Sequence, residues 1–238
     1  MGYENTIRKN ILRIQEKILN VQEKTGKNQL VTIIGVTKTH PPETASLAIE
    51  AGLTHIGENR VQEAENKFVN IEHANNVIKH MIGHLQSNKV KKAIKLFDSI
   101  DSVDSLKLAE NISKNAQKLN KTIPVLLEIN TSGENQKYGF DKTGTDNILA
   151  CLEKKNLKVE GLMTIGPHTK NAQKIRDAFS ELKKILDKIN SQLPTNHKKL
   201  DTLSMGMSGD YLIGVEEGST MVRIGTAIFG ARQTTRRE

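Results

Sequence analysis

Short β-branched stretches alternate with helical stretches along most of this chain, and this alternation limits its possible folds more than any other feature. Val31–Lys38 is the first predicted strand, and a helical pattern over Glu43–Ala51 follows it. Seven further predicted strands, most of them before a helical segment, are His55–Glu58, Ile78–His84, Asp98–Ile100, Ile123–Ile129, Val159–Thr164, Leu200–Ser204 and Met221–Ile224. Strands and helices in alternation form parallel βαβ units. Eight such units in 238 residues predict an α/β fold of the TIM type, a (β/α)8 barrel.

An amphipathic helix is predicted ahead of the barrel, over about residues 4–24. Its apolar positions are Ile7, Ile11, Ile14, Ile18 and Val21. Their spacing of four and three residues gathers them on one face of a helix. No Pro, Gly and Ser-rich linker interrupts the chain after it. We therefore expect residues 1–238 to form one domain, with the barrel over about residues 31–232.

Composition argues against several functional classes. The formal charge is +8, but the lysines are scattered over helix faces without aromatic residues between them, so a nucleic-acid partner is not expected. Cys151 is the sole cysteine, which excludes an internal disulfide and a cysteine zinc cluster, and its helical setting predicts a packed thiol. The chain lacks a signal-peptide pattern and an apolar run of roughly 18 residues. A cytoplasmic protein without a membrane span is expected.

Polar and small residues follow the predicted strands, where (β/α)8 barrels carry their active sites. They are Lys38, Glu58-Asn59, His84, Asn130-Thr131, Gly166-Pro167-His168, Ser204–Ser208 and Arg223–Thr226. Lys38 would lie in the barrel mouth beside Ile34 and Val36, where desolvation favours the neutral, nucleophilic amine that forms a Schiff base with an aldehyde. On position alone, a solvated loop lysine, which is the state of most lysines in this chain, is favoured by a wide margin. The two histidines have no acidic companion at metal-ligand spacing, so no metal site is predicted.

A phosphate site is predicted after the seventh and eighth strands. Ser204–Asp210 is a small, hydroxyl-rich turn, and Gly225-Thr226 follows the last strand. Backbone N–H groups at glycines and hydroxyl donors bind phosphate, and barrels use these two loops for it. An ordinary Gly/Ser turn is the alternative. Arg223 would need a partner if buried, which is either a ligand group or an Asp or Glu in a structural ion pair.

Several separated motifs, in one order, resemble the pyridoxal phosphate homeostasis protein family. They are Gly35–Lys38, Gly57–Asn59, Ile82–Lys89, Gly161–Met163, Ser204–Ser208 and Val222–Gly230. The resemblance runs from about Val31 to Arg232, and it implies a barrel like the N-terminal domain of alanine racemase. The implied cofactor is pyridoxal 5′-phosphate (PLP).

The resemblance also implies roles for individual residues. Lys38 corresponds to the lysine that forms the internal aldimine. The phosphate ligands that the motifs imply are Ser208, Gly225 and Thr226. Arg223 corresponds to an arginine that faces the pyridine nitrogen, where a permanently charged guanidinium weakens the cofactor as an electron sink. Asn59 matches an asparagine near the cofactor, although an amide that caps the following helix is the alternative.

The implied function is that of a carrier, which holds PLP on Lys38 and supplies it to apoenzymes. Racemases of this fold take a second base, a tyrosine, from an additional β-domain, whereas this chain ends eight residues after Gly230. Neither Tyr3, Tyr138 nor Tyr211 is expected at such a position, so no catalytic residue is assigned. The alternatives are a slow, racemase-like PLP enzyme with Lys38 as its base, and a basic RNA-associated scaffold. A monomer or a weak dimer is expected.

Overall fold

Eight parallel strands close into a barrel in the computed structural model, which describes residues 2–134 and 138–231. The strands are β1 (Thr32–Val36), β2 (His55–Glu58), β3 (Ile78–Met81), β4 (Ser99–Val103), β5 (Ile123–Asn130), β6 (Phe140–Asp141), β7 (Leu157–Met163), β8 (Thr202–Met207) and β9 (Met221–Ile224). The two-residue β6 pairs with the end of β5 outside the ring. Pairing of β4 with β5 and of β1 with β9 completes the ring, so the predicted fold class is confirmed.

Helices follow the strands on the outside of the barrel. They are α1 (Tyr3–Thr25), α2 (Pro42–Glu50), α3 (Val61–Phe68), α4 (Val90–Leu96), α5 (Leu106–Lys118), α6 (Thr145–Leu152), α7 (Ala172–Gln192), α8 (Tyr211–Glu216) and α9 (Thr226–Phe229). Short 3₁₀ turns occupy Ala74–Asn76 and Ser87–Lys89. Within the described ranges, no helix is both long and apolar enough to cross a membrane.

Two predicted boundaries are wrong in ways that affect the barrel mouth. β1 ends at Val36, so Lys38 lies in the turn beyond the strand and not at its last position. β8 continues to Met207, although a turn was predicted from Ser204 onward. The strand continues beyond Ser204 because Gly206 adopts a φ of +100°, which glycine tolerates. The pairing of β8 with β9 shifts register in the same stretch. Residue 232, the predicted end of the barrel, lies outside the described residues.

The first helix covers the seam where the barrel closes. Four of its five predicted apolar positions are buried, and Val21 is half-buried. They pack in one cluster with residues of α8, α9 and β9. Tyr3 Oη donates to the carbonyl of Phe229 at 2.9 Å, and Asn10 Nδ2 donates to that of Ile228 at 2.8 Å. Gly26 ends the helix in the left-handed region, with a φ of +64°. The helix therefore braces the last βα unit.

Apolar and charged groups share the interior of the barrel. The main aliphatic core lies between the sheet and the outer helices, whereas a small inner cluster contains Ile34, Val36 and Ile82. Strands β7 and β8 approach so closely at Gly161 that a Cβ there would lie 1.9 Å from the carbonyl oxygen of Thr202. Cys151 is packed in α6 as predicted, and burial raises the pKa of its thiol to about 12.

A buried polar chain lies at the amino-terminal end of the strands, beside a cavity of about 650 Å³. Ser99 Oγ donates to Asp101 Oδ1 at 2.5 Å, His80 Nδ1 lies 2.8 Å from Asp101 Oδ2, and His55 Nδ1 lies 2.9 Å from His80 Nε2. Burial opposes the protonation of His80, but Asp101 outweighs it and raises the pKa of His80. Burial, followed by the charge of His80, lowers the pKa of His55 to about 4. The two imidazoles therefore do not both ionise near neutral pH.

His55 should make the folded protein sensitive to acid. Its pKa is about 4 in the folded protein against 6.5 ordinarily, so the unfolded chain takes up a proton first as the pH falls. Stability is therefore lost from about pH 6.5 downward, and the loss levels off near pH 4. We expect His55→Gln to lose less unfolding free energy between about pH 7 and about pH 5 than the unmodified protein, measured by urea denaturation. His197→Gln, in an exposed loop, is the control, and equal losses in all three proteins would contradict the prediction.

Candidate functional site

One cavity of about 250 Å³ lies at the carboxyl ends of β1, β2, β8 and β9. All six residues that the sequence singled out for binding line it, namely Lys38, Asn59, Ser208, Arg223, Gly225 and Thr226. Its volume is just below the range of roughly 300–1,000 Å³ that is usual for small-molecule sites. The tertiary structure thus brings together residues that are distant in the sequence.

Lys38 is half-buried in the turn after β1, and it lines the cavity. Val36 and Ile82 provide apolar wall beside it, and the inner cluster continues from them into the barrel. The next residue, Thr39, has a φ of +65°, which is unusual for a β-branched side chain. The lysine therefore sits in a sharp, constrained turn at the edge of an apolar surface.

Ser208 connects the loops that follow β8 and β9. Its Oγ accepts hydrogen bonds from the backbone N–H groups of Gly225 and Ala227, both at 3.2 Å. Because the oxygen acts as the acceptor in both bonds, the O–H remains able to donate to a ligand. The Met207 N–H donates to Asp210 Oδ1 at 2.6 Å and closes the β8 loop on itself. The two loops form a single polar surface beside Thr226.

Arg223 is buried and held by three hydrogen bonds. Its Nη1 donates to the backbone oxygen and the Oγ of Ser204 at 2.9 and 2.6 Å, and its Nη2 donates to the Thr164 carbonyl at 2.8 Å. These partners are neutral, so the predicted alternative of an ion pair with Asp or Glu is not found among the described residues. The guanidinium still affects Glu128 electrostatically. Burial raises the pKa of Glu128 to about 7, and the positive charge of Arg223 opposes that rise.

Asn59 does not cap the helix that follows it. Arg60 occupies the N-cap position of α3, and no side chain caps that helix end. Asn59 Oδ1 is buried and has no hydrogen-bond partner among the described residues. The backbone of Asn59 lies so near Gly83 that a Cβ on that glycine would be 2.5 Å from the Asn59 carbonyl oxygen. A buried acceptor without a partner among the described residues is costly.

A buried charged network beside the Lys38 turn was missed by sequence reasoning. Lys67 Nζ donates to the Thr37 carbonyl at 2.8 Å, to Glu58 Oε1 at 2.6 Å and to Glu63 Oε1 at 2.9 Å. Thr37 Oγ1 donates to Glu58 Oε1 at 2.7 Å, and the Thr39 N–H donates to Glu63 Oε1 at 2.6 Å. The i, i+4 spacing of Glu63 and Lys67 was the available signal, but such pairs usually lie on exposed helix faces.

Seven further residues line the cavity. Val36 was expected beside Lys38, and Met207 and Gly209 belong to the predicted phosphate turn. His40, Ile82, Ile165 and Gly230 were not assigned to the cavity. The His40 ring packs against that of Phe229, with centroids 5.0 Å apart. Their common signal is a position at or after the end of a strand or of the last helix.

The two candidate histidines lie apart from the cavity. His84 Nδ1 is 2.9 Å from Asp104 Oδ2, and its ring stacks on Tyr138 with centroids 3.7 Å apart. His168 and Tyr138 are likewise absent from the described cavity lining. In the part of the chain that the structure describes, one group has metal-ligand spacing, and its members, Glu50, Glu72 and His73, are all exposed.

Comparison with known proteins defines the family. Residues 10–233 match the family described as "Alanine racemase, N-terminal domain". A pyridoxal phosphate homeostasis protein of Aquifex aeolicus is 38% identical over 93% of this chain and 96% of its own length. The crystal structure of an unknown protein from Bifidobacterium adolescentis matches with a TM-score of 0.88 and 36% identity, over 95% of this chain and 96% of that one.

A solved relative carries a ligand. PipY of Synechococcus elongatus PCC7942, with PLP bound, matches with a TM-score of 0.82 and 32% identity, over 94% of this chain and 100% of that chain. The chain belongs to the alanine racemase N-terminal domain family and, within it, to the pyridoxal phosphate homeostasis proteins.

Arg223 and Glu128 should be coupled in a pH-dependent way. Glu128 has a pKa of about 7, so it is mostly protonated at about pH 6 and mostly ionised at about pH 8. Without Arg223, the ionised carboxylate is buried near no compensating charge. We expect Arg223→Met to destabilise the protein more at about pH 8 than at about pH 6, by roughly 1 kcal/mol or more, in urea denaturation. Adding Glu128→Gln should remove this difference, and equal destabilisation at both pH values in the single variant would contradict the coupling.

Proposed function

We propose that this protein binds PLP in the cavity at the carboxyl ends of β1, β2, β8 and β9, and acts as an intracellular carrier of the cofactor. In this proposal Lys38 holds PLP as a Schiff base, and the protein supplies it to PLP-dependent apoenzymes in the cytoplasm. The observation that carries the proposal is the convergence of an amine, a guanidinium and a polar double loop on one small cavity. The names of the relatives and the PLP bound to PipY support it.

The donor set fits the chemical groups of PLP. The hydroxyls of Ser208 and Thr226 offer neutral donors on one side of the cavity, as a phosphate dianion requires, and they lie beside Gly225, whose own N–H donates to Ser208 Oγ. The unpartnered Asn59 Oδ1 offers an acceptor. Val36 and Ile82 offer an apolar surface for a flat ring.

The chemistry that PLP supplies when bound is an aldehyde on an electron-withdrawing ring. The neutral amine of Lys38 would add to the aldehyde carbon, a C=N bond would replace the C=O bond, and one water molecule would leave. This condensation needs no oxidant or reductant. The apolar wall beside Lys38 favours the neutral amine, because burial disfavours the ammonium.

Arg223 would restrain further reaction. Its guanidinium is fixed by bonds to Ser204 and Thr164, and it does not give up its proton at physiological pH. If it faces the pyridine nitrogen, that nitrogen stays unprotonated and the ring withdraws electrons less strongly. Storage of the cofactor is favoured over carbanion chemistry by this arrangement.

The tyrosines also favour a carrier over a two-base racemase. Tyr3 bonds to the Phe229 carbonyl, Tyr138 stacks on His84, and Tyr211 is buried against the first helix. None of these three described side chains lines the cavity. Lys38 would therefore lack a tyrosine partner on the opposite face of a substrate.

Reductive trapping tests the proposed function directly. The protein should purify with the yellow absorbance of a Schiff base, and borohydride should attach the cofactor to a peptide that contains Lys38. Lys38→Ala should abolish the absorbance, because the alanine has no amine. Lys89→Ala, which alters a lysine after another barrel strand, should retain it. A labelled peptide without Lys38 would overturn the assignment.

The phosphate site predicts a difference between two ligands. Ser208→Ala removes one donor to a dianion, so PLP should bind about 10-fold or more weakly, at roughly 1.5–3 kcal/mol per charged hydrogen bond. Pyridoxal has no phosphate and should be affected less. Dissociation constants from absorbance titration measure both, with Ser191→Ala on the exposed face of α7 as the control. Equal weakening of both ligands would mean that the phosphate binds elsewhere.

A further inference from the structure

Lys38 lies between two residues whose backbones are tied to the same buried side chains. On one side, Thr37 accepts a hydrogen bond from Lys67 through its carbonyl and donates its hydroxyl to Glu58. On the other side, Thr39 donates its N–H to Glu63. Lys67 bonds to both carboxylates, so the two tethers belong to one cluster. This tether cluster consists of Thr37, Thr39, Glu58, Glu63 and Lys67.

The tether cluster is buried more deeply than a surface ion pair. The side chains of Lys67 and Glu58 are 6% and 0% exposed, and that of Glu63 is 27% exposed. All three ammonium hydrogens of Lys67 find oxygen acceptors. Burial raises the pKa of Glu58 against the influence of Lys67, whereas Lys67 and Thr39 hold the pKa of Glu63 below its usual value although burial opposes them. Glu58 Oε2 is buried without a hydrogen-bond partner among the described residues, and the Thr39–Glu63 bond is exposed. The most rigid part of the cluster is therefore the set of buried bonds that Lys67 makes with Thr37 and Glu58.

The strained conformation of Thr39 indicates what this rigidity does. A β-branched residue in the left-handed region persists where its surroundings impose it, and such residues cluster at functional sites. The described side chain that bonds the Thr39 N–H is Glu63. The Thr37 N–H meanwhile bonds to the Gly57 carbonyl and continues the β1–β2 pairing by one residue. The backbone is therefore fixed immediately before and immediately after Lys38.

We propose that Glu63 and Lys67 are positioning residues, which hold the Thr37–Thr39 backbone so that the amine of Lys38 is aimed into the cavity. The proposal rests on the proposed function, because it assigns the tether cluster a role in the reaction of Lys38 with the PLP aldehyde. Neither residue lines the cavity, so they act through the turn and not on the ligand. Their effect falls on the rate of the covalent step and not on binding of the phosphate.

Three variants of helix α3 separate this role from a purely structural one. Glu63→Ala removes the oxygen that accepts from both Thr39 and Lys67. Glu63→Gln retains that oxygen and removes the charge. Glu65→Ala is the matched control on the same helix, because Glu65 pairs with Lys92 in an exposed contact. The Lys67–Glu58 pair is intact in all three variants, so no charge is left buried alone.

Three measurements on the purified full-length protein report on the proposal. The first is hydrogen exchange of the peptide that covers residues 37–40 in the absence of ligand. The second is the rate of Schiff-base formation after mixing with PLP. The third is the affinity for 4′-deoxypyridoxine 5′-phosphate, an analogue that has the phosphate but no aldehyde.

We expect Glu63→Ala to exchange faster over residues 37–40 and to form the Schiff base about five- to tenfold more slowly, as the loss of one or two hydrogen bonds predicts. Glu63→Gln should stay within about twofold of the unmodified protein, and Glu65→Ala should match it. The affinity for the analogue should be the same in all four proteins.

Two results would overturn this inference without overturning the proposed function. The first is an unchanged rate in Glu63→Ala, whether or not its melting temperature falls. The second is a parallel loss of rate and analogue affinity, because the cavity as a whole would then have changed. If the unmodified protein forms no Schiff base at Lys38, the proposed function fails and this inference fails with it.

Discussion

The hydrogen bonds between the first and the last barrel strands are the interaction on which the candidate site depends. β1 pairs with β9 in parallel, with Ile34 opposite Arg223 and Gly35 opposite Ile224. This register places the turn that contains Lys38 beside Gly225, although the two are separated by most of the chain. Without it, each strand would expose an unpaired edge. Helix α1 stabilises the same seam from outside.

The protein contains more buried charge than an aliphatic core would need. Lys67 of α3 bonds to Glu58 of β2 near the mouth, Arg223 and Glu128 lie on barrel strands without forming an ion pair, and His80 with Asp101 lies at the opposite end. Each charge is desolvated at a cost, which hydrogen bonds to neighbouring groups offset. These hydrogen bonds also fix the geometry of the buried groups, because such groups have few alternative orientations. The arrangement explains how a small cavity holds several polar groups in fixed directions.

Sequence reasoning recovered the fold class and the six candidate binding residues that line the cavity, but it was less accurate in locating the ends of strands. Ser204 was expected in a turn and lies inside β8, where its oxygens bind Arg223. Hydrophobic pattern and turn composition do not reveal that a buried arginine on the neighbouring strand needs those oxygens. The sequence left the partner of Arg223 undetermined for the same reason, because neutral acceptors carry no charge that would mark them in a sequence. The role of Lys38 remains a proposal that both its position and the family relationship support.

The sequence by itself determined the order of strands and helices, the apolar face of α1 and the motifs that identify the family. These properties depend on neighbouring residues, through the periodicity of side chains along a helix or strand and through local turn chemistry. Only the tertiary structure decided that Lys67 turns inward to Glu58 and Thr37, and that Asn59 Oδ1 is buried without a partner. The reason is physical: burial and hydrogen bonding of these groups depend on contacts between separate βα units, which the closure of the barrel creates.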